Sequence, residues 1–503
     1  MGNAASTGPQ VELIAYADRM GGTIPALMDL LDGPLAGVFG GIHLLPFFVP
    51  FDGADHGFDP IDHATVDPRL GSWEDVAALA RRYAVTADLI VNHISAESIE
   101  FRDFLDRGAA SPYATMFHFL STVFPDGATE EDLLRIYRPR PGLPLTVVRL
   151  DDGSRRLAWT TFTARQIDLA VDDPRTAAYL ERIASTFAAH GVSTVRLDAV
   201  GYAVKTPGTS CFMTPATLAF IGRMQRNLHR RGLRALVEVH AHHARQIQVA
   251  QVADLVYDFA LPPLVLWMLA RGDASPLRKW LALRPRNAVT VLDTHDGIGV
   301  VDVGPDDIEP ATPGLLTADQ ISTLVEWIHA NTHDASRRAT GARAGNLDVY
   351  QVNTTFYDAV ARNDTSYLTA RAIQLFTPGI PQIYYVGLLA GENDLALMRR
   401  TGVGRDINRR FYDRSEVAVA LARPVVQDLL ALIRFRNRFP AFAGAWSLGE
   451  RTDELTMRWE GSGTSAELRV DVVAGTFVVA VDDGTERSIV TSPADLERFV
   501  ADK

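Results

Sequence analysis

Arg196 and Asp198 close a short apolar run, Gly191-Val-Ser-Thr-Val-Arg-Leu-Asp198. In an extended strand residues i and i+2 share a face, so the guanidinium and the carboxylate point together. A neighbouring cation lowers a carboxyl pKa and favours the ionised form. That suits a nucleophile or a buried structural ion pair, not a general acid, and the stretch alone leaves both open. Three more strand-like runs end on polar residues: Asn92 with His93, Glu238 with His240, and His295 with Asp296. Three carboxylates at three strand ends suit glycosyl transfer with retention of configuration. One attacks the anomeric carbon, a second, kept protonated, donates to the leaving oxygen, and a third steadies positive charge on the ring. Metal binding is the rival for a His/Asp/Glu set. The one His-x-x-x-His spacing, His329 and His333, lies away from these ends. Glu238-Val-His-Ala-His-His243 keeps the metal reading open.

Such residues converge only if their strands share one sheet. Apolar runs at 11–17, 41–48, 87–93, 192–200, 234–240, 255–261, 288–296 and 379–386 alternate with helix-like segments. Eight near-continuously apolar strands predict an α/β fold, a (β/α)8 TIM barrel with its chemistry at the C-terminal strand ends. Ser72-Trp-Glu-Asp75 reads as a capped helix start, with Val76, Leu79, Ala80 and Tyr83 at helical spacing. The expected barrel pieces are 1–94, 172–297 and 364–441. An inserted subdomain, 95–171, follows strand 3 and carries a hairpin signal at Asp151-Asp-Gly-Ser154. A smaller insertion, 298–363, follows strand 7, and a C-terminal antiparallel β domain spans 442–503.

Composition narrows the class. The 503 residues are 47% hydrophobic and 22% charged, as in soluble globular proteins. A formal charge of −12 without a basic cluster argues against nucleic acid as a partner. The single cysteine, Cys211, excludes an internal disulfide and fits a reducing compartment. Met1 to Gln10 lacks the regions of a signal peptide, and no apolar run reaches membrane-spanning length. The expectation is a cytoplasmic protein with no membrane partner.

Gly53–Asp62, Ile90–His93, Val195–Tyr202, Val237–His240 and Val291–Asp296 resemble the α-amylase superfamily, glycoside hydrolase family 13. Phe47–Asp55, Ile136–Pro144, Thr209–Pro215 and Gly404–Arg409 resemble its sucrose phosphorylase subfamily more closely, and the similarity runs from about Val11 to Arg438. The resemblance implies Asp198 as nucleophile, Glu238 as acid/base and Asp296 as transition-state stabiliser. It implies that Asp55, His93, Arg196, His295 and Arg405 hold glucose, that Phe58 and Phe162 wall the ring, and that Arg140, His240, Asp348, Tyr350 and Gln351 shape the acceptor side. The 298–363 insertion would then be B′-like and carry a mobile acceptor loop, which swaps Asp348 for Tyr350 and Arg140 as fructose leaves and phosphate enters.

Sucrose, phosphate, glucose 1-phosphate and fructose are the partners so implied, with a homodimer and no cofactor beyond phosphate as co-substrate. Many amylases hold calcium near the residue matching Asn92; here no metal is expected. Ala96, His242, His243 and Val349 depart from the subfamily pattern. They leave the glucose side untouched and bear on the acceptor, so relatives acting on sucrose 6′-phosphate, glucosylglycerol or glucosylglycerate are alternatives. A family 13 α-glucosidase or transglucosidase and a non-catalytic scaffold are others. Only Arg140, Arg343 and the histidines offer cations for a phosphorylated acceptor, so sucrose is expected over sucrose 6′-phosphate.

Overall fold

Eight strands, each buried on both faces, close into one parallel barrel in simple sequence order. The structure, a computed structural model, describes residues 10–139, 142–340, 351–451 and 453–500. The barrel strands are β1 (Glu12–Ala15), β2 (Gly41–Leu44), β3 (Ala84–Ile90), β4 (Thr194–Asp198), β5 (Arg234–Val237), β6 (Leu255–Asp258), β7 (Ala288–Thr290) and β8 (Ile380–Tyr384). Glu12 on β1 faces both Gly41 on β2 and Gln382 on β8, which closes the ring. Ile42, Val85, Val195, Leu236 and Val256 are fully buried. Each contributes about 1.5–3 kcal/mol on burial, which is why these runs carry apolar residues on both faces.

The strands are shorter than their apolar runs. β3 stops at Ile90, β5 at Val237 and β7 at Thr290, so Asn92, Glu238, His295 and Asp296 stand just past the ladder. Beyond these points the chain turns outward to reach the covering helices. The ladder therefore ends while burial continues, and alternation no longer dictates which way a side chain faces.

The helices obey local signals. Thr23 caps Ile24–Asp32, which stops before Gly33. Ser72 and Asp75 form the reciprocal cap of Trp73–Ala80 that their spacing predicts. Between β3 and the helix Pro174–Ala189 lie short helices, the hairpin Leu145–Arg149/Arg155–Trp159 and the pair His93–Ser95/Gln166–Asp168. Five antiparallel strands, followed by the short helix Pro493–Phe499, form a separate sheet after the barrel: Ala445–Leu448, Glu454–Gly461, Thr464–Asp471, Thr476–Asp482 and Arg487–Val490. The sheet is pinned to the barrel where buried Trp459 donates from its indole N–H to the Phe376 carbonyl at 2.8 Å. No helix among the described residues is long and apolar enough to cross a membrane.

Candidate active site

The C-terminal mouth of the barrel opens into a cleft of about 280 Å³ whose floor carries Asp198, Glu238 and Asp296. Asp55, Phe58, His93, Phe162, His240, His295, Gln351 and Arg405 line it as well. Arg196 is the exception among the expected sugar contacts. It lies beneath the floor, 3% exposed, and reaches the site through the carboxylates above it. Arg140, Asp348 and Tyr350, with Arg343 and Val349, lie outside the described residues.

The floor is built from strand ends outward. Arg196 and Asp198 share a face of β4, and Arg196 Nη1 donates to Asp198 Oδ1 at 2.7 Å and to Asp88 Oδ1 on β3 at 2.5 Å. Asp88 is held by His43 Nε2 at 2.9 Å, and Tyr257 Oη bridges His43 Nδ1 at 3.2 Å to Gln382 at 3.0 Å. Gln382 donates to Glu12 at 2.8 Å. Residues from six strands thus form one polar chain inside the barrel that locks the guanidinium under Asp198. Asp88 showed in the sequence only as a lone acid in an apolar run; nothing pointed to His43, Tyr257 or Gln382.

Next to Asp198 the chain turns sharply. Ala199 has φ 51°, a left-handed conformation that costs a non-glycine residue about 1–2 kcal/mol. The turn aims the Ala199 N–H at Glu238 Oε2, 3.0 Å away. Glu238 Oε1 lies 4.0 Å from Arg196 Nη2 and 3.7 Å from His240 Nε2. Burial pushes the Asp198 carboxyl well up, against the pull of Arg196 and with the neighbouring Glu238 charge adding to the rise. The Arg196 pairing alone led to the opposite expectation; what it omitted is the depth of the site and the second carboxylate. The geometry favours the negative charge on Asp198, whose oxygen accepts the charge-assisted bond from Arg196.

Asp296 is the opposite case. Burial raises it, but surrounding charges, Arg405 foremost and Arg409 with it, outweigh burial and hold it well below the usual carboxylate range. Arg405 Nη1 stands 2.8 Å and Arg409 Nη2 3.7 Å from Asp296 Oδ1. Burial drives the adjacent His295 down to about 3, so its ring is neutral, and it stacks on Phe58 at 4.8 Å. His93 Nε2 donates to the Phe58 carbonyl at 2.9 Å, and Phe162 meets His93 edge-on at 5.5 Å. Gln166, absent from the sequence reading, donates to Asp55 Oδ2 at 2.9 Å and touches His93 Nε2 at 3.1 Å. Fixed acceptors, neutral rings and two aromatic walls make a surface suited to a polyhydroxylated ring.

Ligand atoms of Glu238, His240 and Asp296 lie within 4.8 Å of one another. A cation among them would meet Arg405 and Arg196, which already offer positive charge to these carboxylates. Near Asn92 the chain supplies its own cation. Lys205 Nζ sits 2.6 Å from buried Asp168 and donates to Asn92 Oδ1 at 3.2 Å and Thr161 Oγ1 at 3.3 Å.

Comparison with known proteins agrees with this geometry. The family described as alpha amylase, catalytic domain, matches residues 37–261. A sucrose phosphorylase of Agrobacterium vitis is 54% identical over 92% of this chain and 95% of its own. One from Bifidobacterium adolescentis is 51% identical over 95% and 94%. The crystal structure of a sucrose 6F-phosphate phosphorylase from Thermoanaerobacter thermosaccharolyticum superposes with a TM-score of 0.88 at 36% identity, covering 97% of this chain and 98% of that one. With a barrel whose strand ends carry Asp198, Glu238 and Asp296, and relatives matched along nearly their whole length, the chain belongs to the sucrose phosphorylase family of glycoside hydrolase family 13.

Proposed function

We propose that the chain is a sucrose phosphorylase, moving an α-glucosyl group from sucrose to phosphate with retention. The observation that carries this is the Asp198 carboxylate gripped by Arg196 beside Glu238 on the floor of the cleft. Asp198 Oδ2, the oxygen not bonded to Arg196, would form the bond to the anomeric carbon. The bond from that carbon to the fructose oxygen breaks, and Glu238 gives its proton to that oxygen. Phosphate then attacks the same carbon, the Asp198 ester bond breaks, Glu238 recovers a proton from phosphate, and α-glucose 1-phosphate leaves. Asp296, held anionic, stabilises the oxocarbenium character between these steps.

On this reading sucrose should release glucose 1-phosphate only with phosphate present. Equal release of free glucose with and without phosphate would mean a hydrolase. Reverse phosphorolysis with fructose, fructose 6-phosphate, glycerol and glycerate sets the acceptor, and a clear preference for any but fructose would overturn the sucrose assignment. The reading includes a cytoplasmic location, supported by the lone cysteine, and a homodimer, which sedimentation of the purified chain tests. It includes no metal or organic cofactor, supported by the Lys205 ammonium beside Asn92. Activity lost to chelation and restored by calcium would overturn that.

A further inference from the structure

His240, a ring on the cleft floor, is bonded on its far side to a buried carboxylate. Its Nε2 faces Glu238 Oε1 at 3.7 Å, and its Nδ1 meets Asp302 Oδ2 at 3.1 Å. Asp302 has no exposed surface and does not line the cleft. Its other oxygen accepts the Ala241 N–H at 3.1 Å and the Gln246 side-chain amide at 3.0 Å. The imidazole face stacks on Phe259 with ring centres 3.8 Å apart. Gly299 leaves room for the pair: a Cβ there would stand 2.2 Å from Asp302 Oδ2 and 3.1 Å from His240 Nδ1. Ring and carboxylate are held in one geometry from the loop after β5, the short turn Val301–Val303 and the helix His243–Ala250.

We propose that Asp302 is a positioning residue that fixes His240 as an imidazolium with Nε2–H turned to the acceptor side, so that the anionic acceptor, phosphate, is drawn to the glucosyl-enzyme in preference to water. The inference rests on the phosphorylase reading above. Phosphate must approach a floor carrying Glu238 and Asp296, and like charges repel in a site that excludes water. Arg405 and Arg196 cannot offset this alone, because each is already bound to a catalytic carboxylate. Among the described residues, a histidine shared between a buried carboxylate and the acceptor side adds positive charge for the incoming anion. Among the described residues, the acids that face the ring are Asp302, Glu238 and Asp296. Together they raise its pKa against burial, which alone would lower it.

Asp302→Asn keeps the shape and an acceptor for Ala241 while removing the charge. The ratio of glucose 1-phosphate to free glucose formed from sucrose at fixed phosphate should fall about tenfold or more. KM for phosphate should rise, and glucosylation by α-glucosyl fluoride should change little. An unchanged ratio and phosphate KM would overturn the proposal. Imidazole NMR of the unmodified protein needs no variant: the His240 ring should titrate above the ordinary histidine value of about 6.5. A ring neutral at and below that value would overturn the proposal even if the variant failed to fold. If sucrose and phosphate gave no glucose 1-phosphate at all, the phosphorylase reading would fail, while the titration would still judge the Asp302–His240 pair.

Discussion

Asp198 and Glu238 are neighbours that touch different groups, and the proposed function gives them different tasks. Asp198 accepts from a guanidinium that cannot lose its proton; Glu238 accepts a backbone N–H from Ala199. Replacing Glu238 by Gln should therefore cost about 10²–10⁴-fold in glucosylation from sucrose, whose leaving oxygen needs a proton. The loss with α-glucosyl fluoride, whose leaving group needs none, should be far smaller. Single-turnover rates with the two donors make the comparison, and equal losses would remove Glu238 from the acid role. Asp198→Asn should abolish glucosylation from both donors, because no covalent intermediate can form; residual burst formation of glucosyl-enzyme would exclude it as nucleophile. The Arg196–Asp198 contact was legible in the sequence because both residues lie inside one regular strand, where alternation holds. The charge balance was not legible, because Glu238 and the depth of the floor come from elsewhere in the chain.

At the scale of elements, a buried cation helps tie the segment after β3 to the barrel. Asp168, at the end of the strand Gln166–Asp168, accepts from Thr161 N–H at 2.9 Å and faces Lys205 from the loop after β4. Lys205 also donates to the Tyr202 carbonyl, and Tyr202 lines the cleft. Burial raises Asp168, and Lys205 with the Thr161 bonds outweighs it, so the carboxylate stays charged in the interior. Lys205→Met should then cost about 3–5 kcal/mol in urea unfolding, the usual penalty for leaving one half of a buried pair unpaired. The double variant Lys205→Met/Asp168→Asn should recover part of it, and additive losses would show that the pair is not coupled. The eight strands were readable from their apolar runs and the helix starts from Ser72 and its kind. The ties between elements were not: Lys205 and Asn92 are 113 positions apart, His240 and Asp302 are 62 apart, and neither pair sits on a period. Asp302 offered one faint signal, a lone acid between two valines.

For the whole molecule, several interior histidines are held as neutral groups, unlike His240. Burial pushes His63 down to about 4 and His118 and His295 to about 3. In the unfolded chain each takes up a proton near pH 6.5. Below that pH the unfolded state binds protons that the folded state refuses, so stability falls as pH drops from about 6.5 and levels off only near the folded values. Depressed carboxylates such as Asp88, Asp168 and Asp296 add to the loss further into acid, because their folded forms resist protonation. Asp18 and Asp59 act in the other direction. Burial raises both to about 6, so the folded state holds protons there that the unfolded chain has released, which favours folding as pH drops from about 6 towards the ordinary Asp value. Glu12, Asp198, Asp293, Asp302 and His240 are raised as well and act with those two; the strongly depressed rings, His243 among them, together with the depressed carboxylates are expected to outweigh them, and the balance should be acid-labile. The urea midpoint should therefore be highest near neutrality and decline steadily between about pH 6.5 and 4, with the m-value unchanged. His118→Asn removes one contributor away from the cleft floor and should flatten that decline without changing the direction of the others. A midpoint that held constant or rose across this interval would mean that the buried rings are not neutral in the folded protein.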